Sequence, residues 1–292
     1  MNVGVTGANG FVGAHMIEAL RARGHDVCGL VRHALPGTPS RRFDLSERPL
    51  HRGMFDGFDV VIHAAAHLPM SYADPAEAQR CMDINALGTL AVLEECVRAG
   101  VRKVVYLSTN LYRLSAAPVR EDAAFEPSAQ ASYYLVSKAS ADFFAGHFAN
   151  KLPVATLRLG SVYGRGLMRG VISTFTTQLF AGTPISVDDG NYQADFVDVH
   201  DVAAAVVAAV ERDVRGPLNV GSGRATRPFE IARLLVELTG APAELVQVRP
   251  GATELRGFSA LDIGRARTEL GLAPRALIAG LRDYVDWRRA GR

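Results

Sequence analysis

Short runs of β-branched and apolar residues alternate along the first half of the chain with longer stretches in which apolar side chains recur at helical spacing. The runs near 2–6, 26–31, 59–64, 103–108 and 153–158 predict strands, and the stretches near 11–23, 75–99 and 132–149 predict helices. Each helix is long enough for a right-handed crossover between parallel strands. The pattern therefore predicts a parallel sheet covered by helices on both faces. After Arg158 the rhythm changes. Residues 160–195 are rich in Gly, Thr and Asp, 196–210 return to a strand and a helix, and 226–288 hold two further helical stretches among loops. There is no internal repeat and no low-complexity tract.

The first strand runs directly into the glycine-rich turn Val3 to Gly13. Gly7 and Gly10 would let the backbone turn tightly and approach a pyrophosphate, and Gly13 would let the following helix pack closely on the strand. The N–H groups at the start of that helix, around Asn9, Phe11 and Val12, would face the anion. Far downstream, Tyr134 and Lys138 stand four apart in a predicted helix, so one face carries both. An ammonium beside a phenol favours the phenolate and suits Tyr134 to exchange a proton with a substrate oxygen. Tyr133 has Ser137 at the same offset and lacks such a partner.

Together with Asp59 to Ala66 as the fourth strand, Asn85 to Thr89 in the following helix and Val104 to Thr109 as the fifth strand, these motifs resemble the extended short-chain dehydrogenase/reductase family. That group includes nucleotide-sugar epimerases, dehydratases and ketoreductases, and the resemblance covers nearly the whole chain. It implies an α/β fold: a Rossmann doubly wound parallel sheet with a smaller C-terminal substrate-binding lobe. The expected division is 1–159 for the NADP-binding domain, its sheet completed by segments near 196–222, with 160–195 and 223–292 forming the lobe. A cleft between the two is where a ligand pocket is expected. The resemblance further implies that Asp44 and Leu45 flank an adenine, that Ala64, Ala65 and Ala66 line the cofactor site, and that Asn85 organises a water and Lys138.

Cofactor choice is read from the end of the second strand. A carboxylate there would bond the ribose 2′-hydroxyl of NAD, whereas an arginine suits the 2′-phosphate of NADP. Val31 and Arg32 occupy that place, with His33, Arg41 and Arg42 nearby, so NADP is expected over NAD. A catalytic hydroxyl is needed at the end of the fifth strand to hold the substrate oxygen. Counting from the strand start selects Thr109, and counting back from Tyr112 in a pattern resembling SSxxVYG selects Ser108; Thr109 is the favoured expectation and both stay open. In the resembled dehydratases an Asp-Glu pair follows the catalytic Thr, and here Asn110 and Leu111 stand in those places. A leucine cannot transfer a proton, which argues against dehydration.

NADP usually serves as a dissociable reductant, so NADPH-dependent reduction of a keto-sugar, free or nucleotide-linked, is the leading expectation. The alternatives are a sugar epimerase and a non-catalytic NADP-binding sensor. The later part of the chain departs from the family. Ser161 replaces an asparagine in a segment resembling RxxNVYG, and Ala194 replaces a phosphate-gripping arginine before Asp195-Phe196. Arg249-Pro250-Gly251 does resemble the other diphosphate-binding segment, although Ala252 stands where an Asp is common. Arg165, Arg169 and Arg256 are possible substitutes, and His67 and Asn110 are candidates for the substrate cleft.

Composition adds exclusions. At 292 residues, 48% hydrophobic and a formal charge of +2, the chain suits one large α/β unit and has no basic run to attract nucleic acid. Three cysteines without metal-ligand spacing suggest a reducing cytoplasm, and no apolar stretch is long enough to span a membrane. His63 and His67 bracket a strand end with no third ligand evident, so no metal is expected. Family members often form homodimers through the helices expected near 75–99 and 132–149, and Leu90, Leu93, Phe143 and Phe144 are candidates to face either the sheet or such a partner.

Overall fold

The computed structural model describes residues 1–69, 74–126 and 133–291. Among them, seven strands form one sheet: β1 (Asn2–Thr6), β2 (Asp26–Val31), β3 (Ser40–Arg42), β4 (Val60–His63), β5 (Lys103–Thr109), β6 (Val154–Leu159) and, much later in the chain, β10 (Gly216–Val220). The strand order is β10-β6-β5-β4-β1-β2-β3 and every pairing is parallel. Order reverses beside β1, which places a crevice at the C-terminal ends of β1 and β4.

Residues alternate between the two faces of each strand, and both faces are apolar. Val3, Val5, Val60, Ile62, Val105 and Leu107 join one core, shared with Met16 and Leu20 of α1 (Phe11–Ala22). Val61, Val104 and Tyr106 point the other way into a second core. There they meet Val92 and Leu93 of α3 (Gly88–Arg98) and Ala141 and Ala145 of α4 (Tyr133–Phe148).

The helix expected over 75–99 is present but not uniform. It runs as α2 (Ala76–Cys81), a π-helical turn over Met82–Leu87, and α3. Wide turns of this kind often sit beside functional sites, and this one carries buried Asn85.

The remaining elements are β7 (Ser161–Tyr163), α5 (Gly170–Phe180), β8 (Ile185–Asp188), β9 (Tyr192–Asp198), α6 (Val199–Glu211), β11 (Ala225–Thr226), α7 (Pro228–Thr239), β12 (Val246–Arg249), β13 (Arg256–Gly257), α8 (Gly264–Leu270) and α9 (Leu277–Arg289). Of the segment 196–222, only β10 completes the main sheet. The β9 strand pairs instead with β7, β11 and β13, because β6 hands directly to β7 through Gly160. A Cβ at Gly160 would lie 2.6 Å from the Asp195 carbonyl oxygen, so the two strands approach at a point only glycine permits.

Buried Asp195 then accepts N–H bonds from Ser222, Gly223 and Leu261, tying two loops to that strand. Tyr163, Ile172, Phe175, Ile185, Ile231, Leu235, Leu281 and Tyr284 form a third core away from the main sheet. Three helices, α7, α8 and α9, occupy the stretch where two were expected; α8 has seven residues, too short for a periodic signal. No helix among the described residues is long and apolar enough to cross a membrane.

Candidate active site

A cavity of about 960 Å³ follows the C-terminal ends of the main-sheet strands. Its wall begins at the β1–α1 turn, with Gly7, Asn9, Gly10, Phe11, Val12 and Gly13. The turn is closed by the Gly10 N–H donating to the Gly7 carbonyl at 2.9 Å, and Gly10 caps α1 without any side chain. The first N–H groups of the helix thus have no side-chain acceptor at the cap. Gly7 sits at φ +69°, where a Cβ would lie 2.8 Å from the Ala65 nitrogen; at Gly13 a Cβ would lie 2.2 Å from the Gly7 oxygen. Backbone this tightly folded against a helix N-terminus is a cradle for a pyrophosphate, and an elongated cavity leads away from it in both directions. The residues present fit a nicotinamide dinucleotide.

At one end the wall is made by Leu30 and Val31 of β2, by Arg32 just past it, and by Phe43, Asp44, Leu45 and Ser46. Arg32 is exposed. The Asp44 carboxyl is held below its usual range, first by the Ser46 hydroxyl and backbone N–H and then by Arg32 and Arg42. Arg42 is paired with Glu47, and Arg41 donates to the carbonyls of Met54 and Asp56, which leaves Arg32 as the arginine in the wall. His33, expected beside it, is exposed and lies outside the wall.

The other end holds Ser108, Thr109, Tyr134 and Lys138 together. Helix α4 presents Tyr134 to the cavity and buries Lys138, whose ammonium donates to the Leu107 carbonyl at 2.7 Å and sits 4.4 Å from the centre of the Tyr106 ring. Burial pushes the Lys138 pKa down to about 7, with Asp142 one turn further on opposing the shift. The His63 ring also stacks on Tyr106, at 5.7 Å, fixed between the hydroxyls of Thr6 and Thr89. Burial first, and the Lys138 charge second, push His63 down to about 3, so this imidazole is neutral.

Asp142 itself is held by Arg158 of β6 through two bonds of 2.8 and 3.1 Å, both side chains being almost fully buried. The same guanidinium donates to the Tyr112 hydroxyl and the Glu121 carbonyl, each at 2.8 Å, and lies 4.6 Å over the Phe125 ring. This ion pair escaped the sequence reading, although Asp142 falls one helical turn beyond Lys138.

Strand alternation separates the two candidate hydroxyls. Ser108 falls on the same side of β5 as Tyr106, the side that faces α4, while Thr109 falls with Leu107 on the opposite side. The Ser108 Oγ is buried without a hydrogen-bond partner among the described residues.

Around this centre, Ala64, Ala65 and Ala66 line the cavity, and the first two donate N–H bonds to the Thr6 hydroxyl. Asn85 stands behind the wall rather than in it. Its amide accepts from the His67 N–H at 2.7 Å and donates to the His67 carbonyl and to the Ser137 hydroxyl, so it braces the loop after β4 against α4. His67 and Ser161 are in the wall, and the His67 imidazole is bonded to Glu77.

Asn110 is buried and donates to the Ser259 carbonyl, outside the wall. Arg165, Arg169 and Arg249 are exposed and also stand outside it. What the sequence reading missed is a set of largely apolar side chains in the wall: Leu68, Ile84, Leu135, Leu167, Tyr192 and Phe258. They come from separate segments, and no local pattern links them.

The family described as the NAD dependent epimerase/dehydratase family matches residues 3–221. UDP-glucose 4-epimerase from Mycolicibacterium smegmatis is 30% identical, the match covering 98% of this chain and 97% of the epimerase. A dTDP-4-dehydro-6-deoxy-D-allose reductase from a Streptomyces species is 29% identical, covering 98% and 95%. Among solved structures, MoeE5 in complex with UDP-glucose and NAD superposes with a TM-score of 0.87 at 31% identity, over 100% of this chain and 99% of that one.

Proposed function

The chain belongs to the NAD dependent epimerase/dehydratase family, and we propose that within it the protein is an NADPH-dependent carbonyl reductase. The observation that carries this reading is Arg32 in the cavity wall at the end of β2, where a 2′-phosphate would lie and where an NAD-selective site would offer a carboxylate. The epimerase relative is as similar to this chain as the reductase relative, so the choice rests on the cofactor end and on the chemistry of the wall.

When bound, NADPH supplies a hydride to the carbonyl carbon of the substrate. Tyr134 is positioned to donate the proton that the carbonyl oxygen takes up. Lys138, when charged, makes Tyr134 a stronger acid. We assign Ser108, rather than the initially favoured Thr109, as the hydroxyl that holds the substrate oxygen, because its unpartnered Oγ lies on the α4 side of β5. The only carboxylate in the described wall is Asp44, at the opposite end, which leaves no acid-base pair for removal of water. A sensor would not need a lysine buried at the cost of its own charge, and this disfavours the non-catalytic alternative.

The test is to follow reduced-nicotinamide absorbance with NADPH and NADH over a carbonyl panel. Substrate-dependent oxidation that prefers NADPH supports the reading; turnover without net oxidation identifies an epimerase. The Tyr134→Phe protein should bind NADPH normally while its kcat drops by roughly 10²- to 10⁴-fold.

We also propose a homodimer formed by the α2–α3 segment and α4, supported by exposed Leu87, Val97, Val136 and Phe143, the last of these 69% exposed. Light scattering on the wild type and on Phe143→Lys decides that point. Free Cys28, Cys81 and Cys96 support placing the enzyme in a reducing compartment such as the cytoplasm.

A further inference from the structure

On the side of Tyr134 the cavity is lined by Leu68 after β4, Leu135 on α4, Leu167 after β7, Tyr192 at the start of β9 and Phe258 just past β13. We propose that the substrate is a ketone carried on an apolar body that bears no phosphate or nucleoside diphosphate, an inference that rests on the reductase reading above.

The wall favours such a body directly. Apolar surface moved from water onto these side chains contributes to binding in proportion to its area, and the few polar groups serve to orient it. Those groups are Ser161, the Tyr192 hydroxyl and His67, alongside the hydroxyls at the reacting centre. His67 is bonded to Glu77, so even when protonated the pair presents no net positive charge to an anion.

A diphosphate would meet the opposite of what it needs. Buried phosphate oxygens require charge-assisted bonds, best from arginine, and are costly to bury without them. Among the described residues the cations in the wall are Arg32 and Lys138. Arg32 belongs to the far end, and the Lys138 ammonium is already taken by the Leu107 carbonyl and the Tyr106 ring.

Arg165, Arg169, Arg249 and Arg256 all stand outside the wall, and Arg249 closes β12 opposite Asp188. The place on β9 where the family resemblance implied an arginine holds Ala194, which is buried against its neighbours. Segments 70–73 and 127–132 contain no lysine or arginine in the sequence.

The experiment uses the wild-type protein with saturating NADPH and the methyl ketones from butanone to nonan-2-one. The value of kcat/KM should rise about three- to fourfold for each methylene until the cavity is filled. Phe258→Ala and Leu167→Ala should flatten that slope, and millimolar UDP or dTDP should leave the rates unchanged. Competition by UDP or dTDP at micromolar concentration, a flat series, or oxidation of NADPH only with nucleotide-linked keto-sugars overturns the substrate class while leaving the reductase intact.

If no carbonyl of either kind oxidises NADPH, it is the reductase reading that fails. Calorimetry on the NADP-loaded protein then decides the cavity separately: tighter binding of nonan-2-one than of UDP sustains the apolar assignment, and the reverse overturns it.

Discussion

Replacing Asp142 by Asn tests whether the buried ion pair behind α4 holds the catalytic helix in place. Arg158 and Asp142 are 8% and 7% exposed, joined by two short bonds, and the guanidinium has its other donors on Tyr112 and Glu121. Asn matches Asp in shape but turns one acceptor into a donor that faces the Arg158 donors, leaving a desolvated guanidinium without a counter-charge. Breaking a buried pair from one side costs about 3–5 kcal/mol. Set against a typical total stability of about 5–15 kcal/mol, that is a large share.

Urea unfolding followed by far-UV circular dichroism should show the midpoint falling with an unchanged slope. A double variant, Asp142→Asn with Arg158→Met, should recover part of the loss, because the orphaned charge is gone. A loss below about 1 kcal/mol for Asp142→Asn would refute the reasoning, since that is the size expected of a solvent-screened pair. Asp142 also opposes the downward shift of Lys138. The pH above which activity declines should therefore move down in any variant that lacks this carboxylate.

Lys138 carries its own pH signature. Its folded pKa, about 7, lies below the unfolded value, so the unfolded chain binds more protons between those two pH values. Stability of the cofactor-free protein should rise with pH through that window, its burial penalty being complete below pH 7, and Lys138→Met should remove this part of the slope in thermal unfolding. Gly13→Ala places a methyl 2.2 Å from the Gly7 carbonyl and should abolish NADPH binding by calorimetry; retention of binding within tenfold would show that the turn relaxes easily. Arg32→Ser should lower the NADPH-over-NADH preference in kcat/KM by roughly ten- to a hundredfold, and an unchanged ratio would mean that another group reads the ribose. Ser108→Ala should depress kcat far more than Thr109→Ala, and the reverse order would reinstate the count made from the strand start.

The strands of the main sheet could be read from the sequence because helices cover both faces, so runs such as Val60–Ile62 and Val104–Leu107 stay apolar from residue to residue. The cofactor turn and the Tyr134/Lys138 pair were legible because their spacing is itself the geometry. Ser108 and Thr109 were not separable, since counting along a motif does not say which face of a strand a side chain takes.

The substrate end was invisible for a different reason. Tyr192 and Phe258 line one cavity because β9 pairs with β13 across more than sixty residues of chain, with Tyr192 opposite Arg256 and Gln193 opposite Gly257. The arginines that a motif count assigned to substrate fell outside the wall, because a residue type at a familiar spacing carries no information about where a variable lobe directs it.

One helical stripe joins the chemistry to the core. Tyr134, Lys138 and Asp142 recur every four residues on α4: the first lines the cavity, the second lies buried against Tyr106 and the Leu107 carbonyl, and the third reaches Arg158. Desolvation at the middle step lowers the proton affinity of Lys138, which by itself would discharge the ammonium that Tyr134 needs. The ring face of Tyr106 and the carboxylate of Asp142 both favour the charged form. Arg158 in turn holds the Asp142 carboxylate through two bonds. An ammonium balanced in this way is poised near neutral pH, and small changes in its surroundings move it between its two forms. The acidity of Tyr134 thus depends, through the charge on Lys138, on an ion pair two helical turns away.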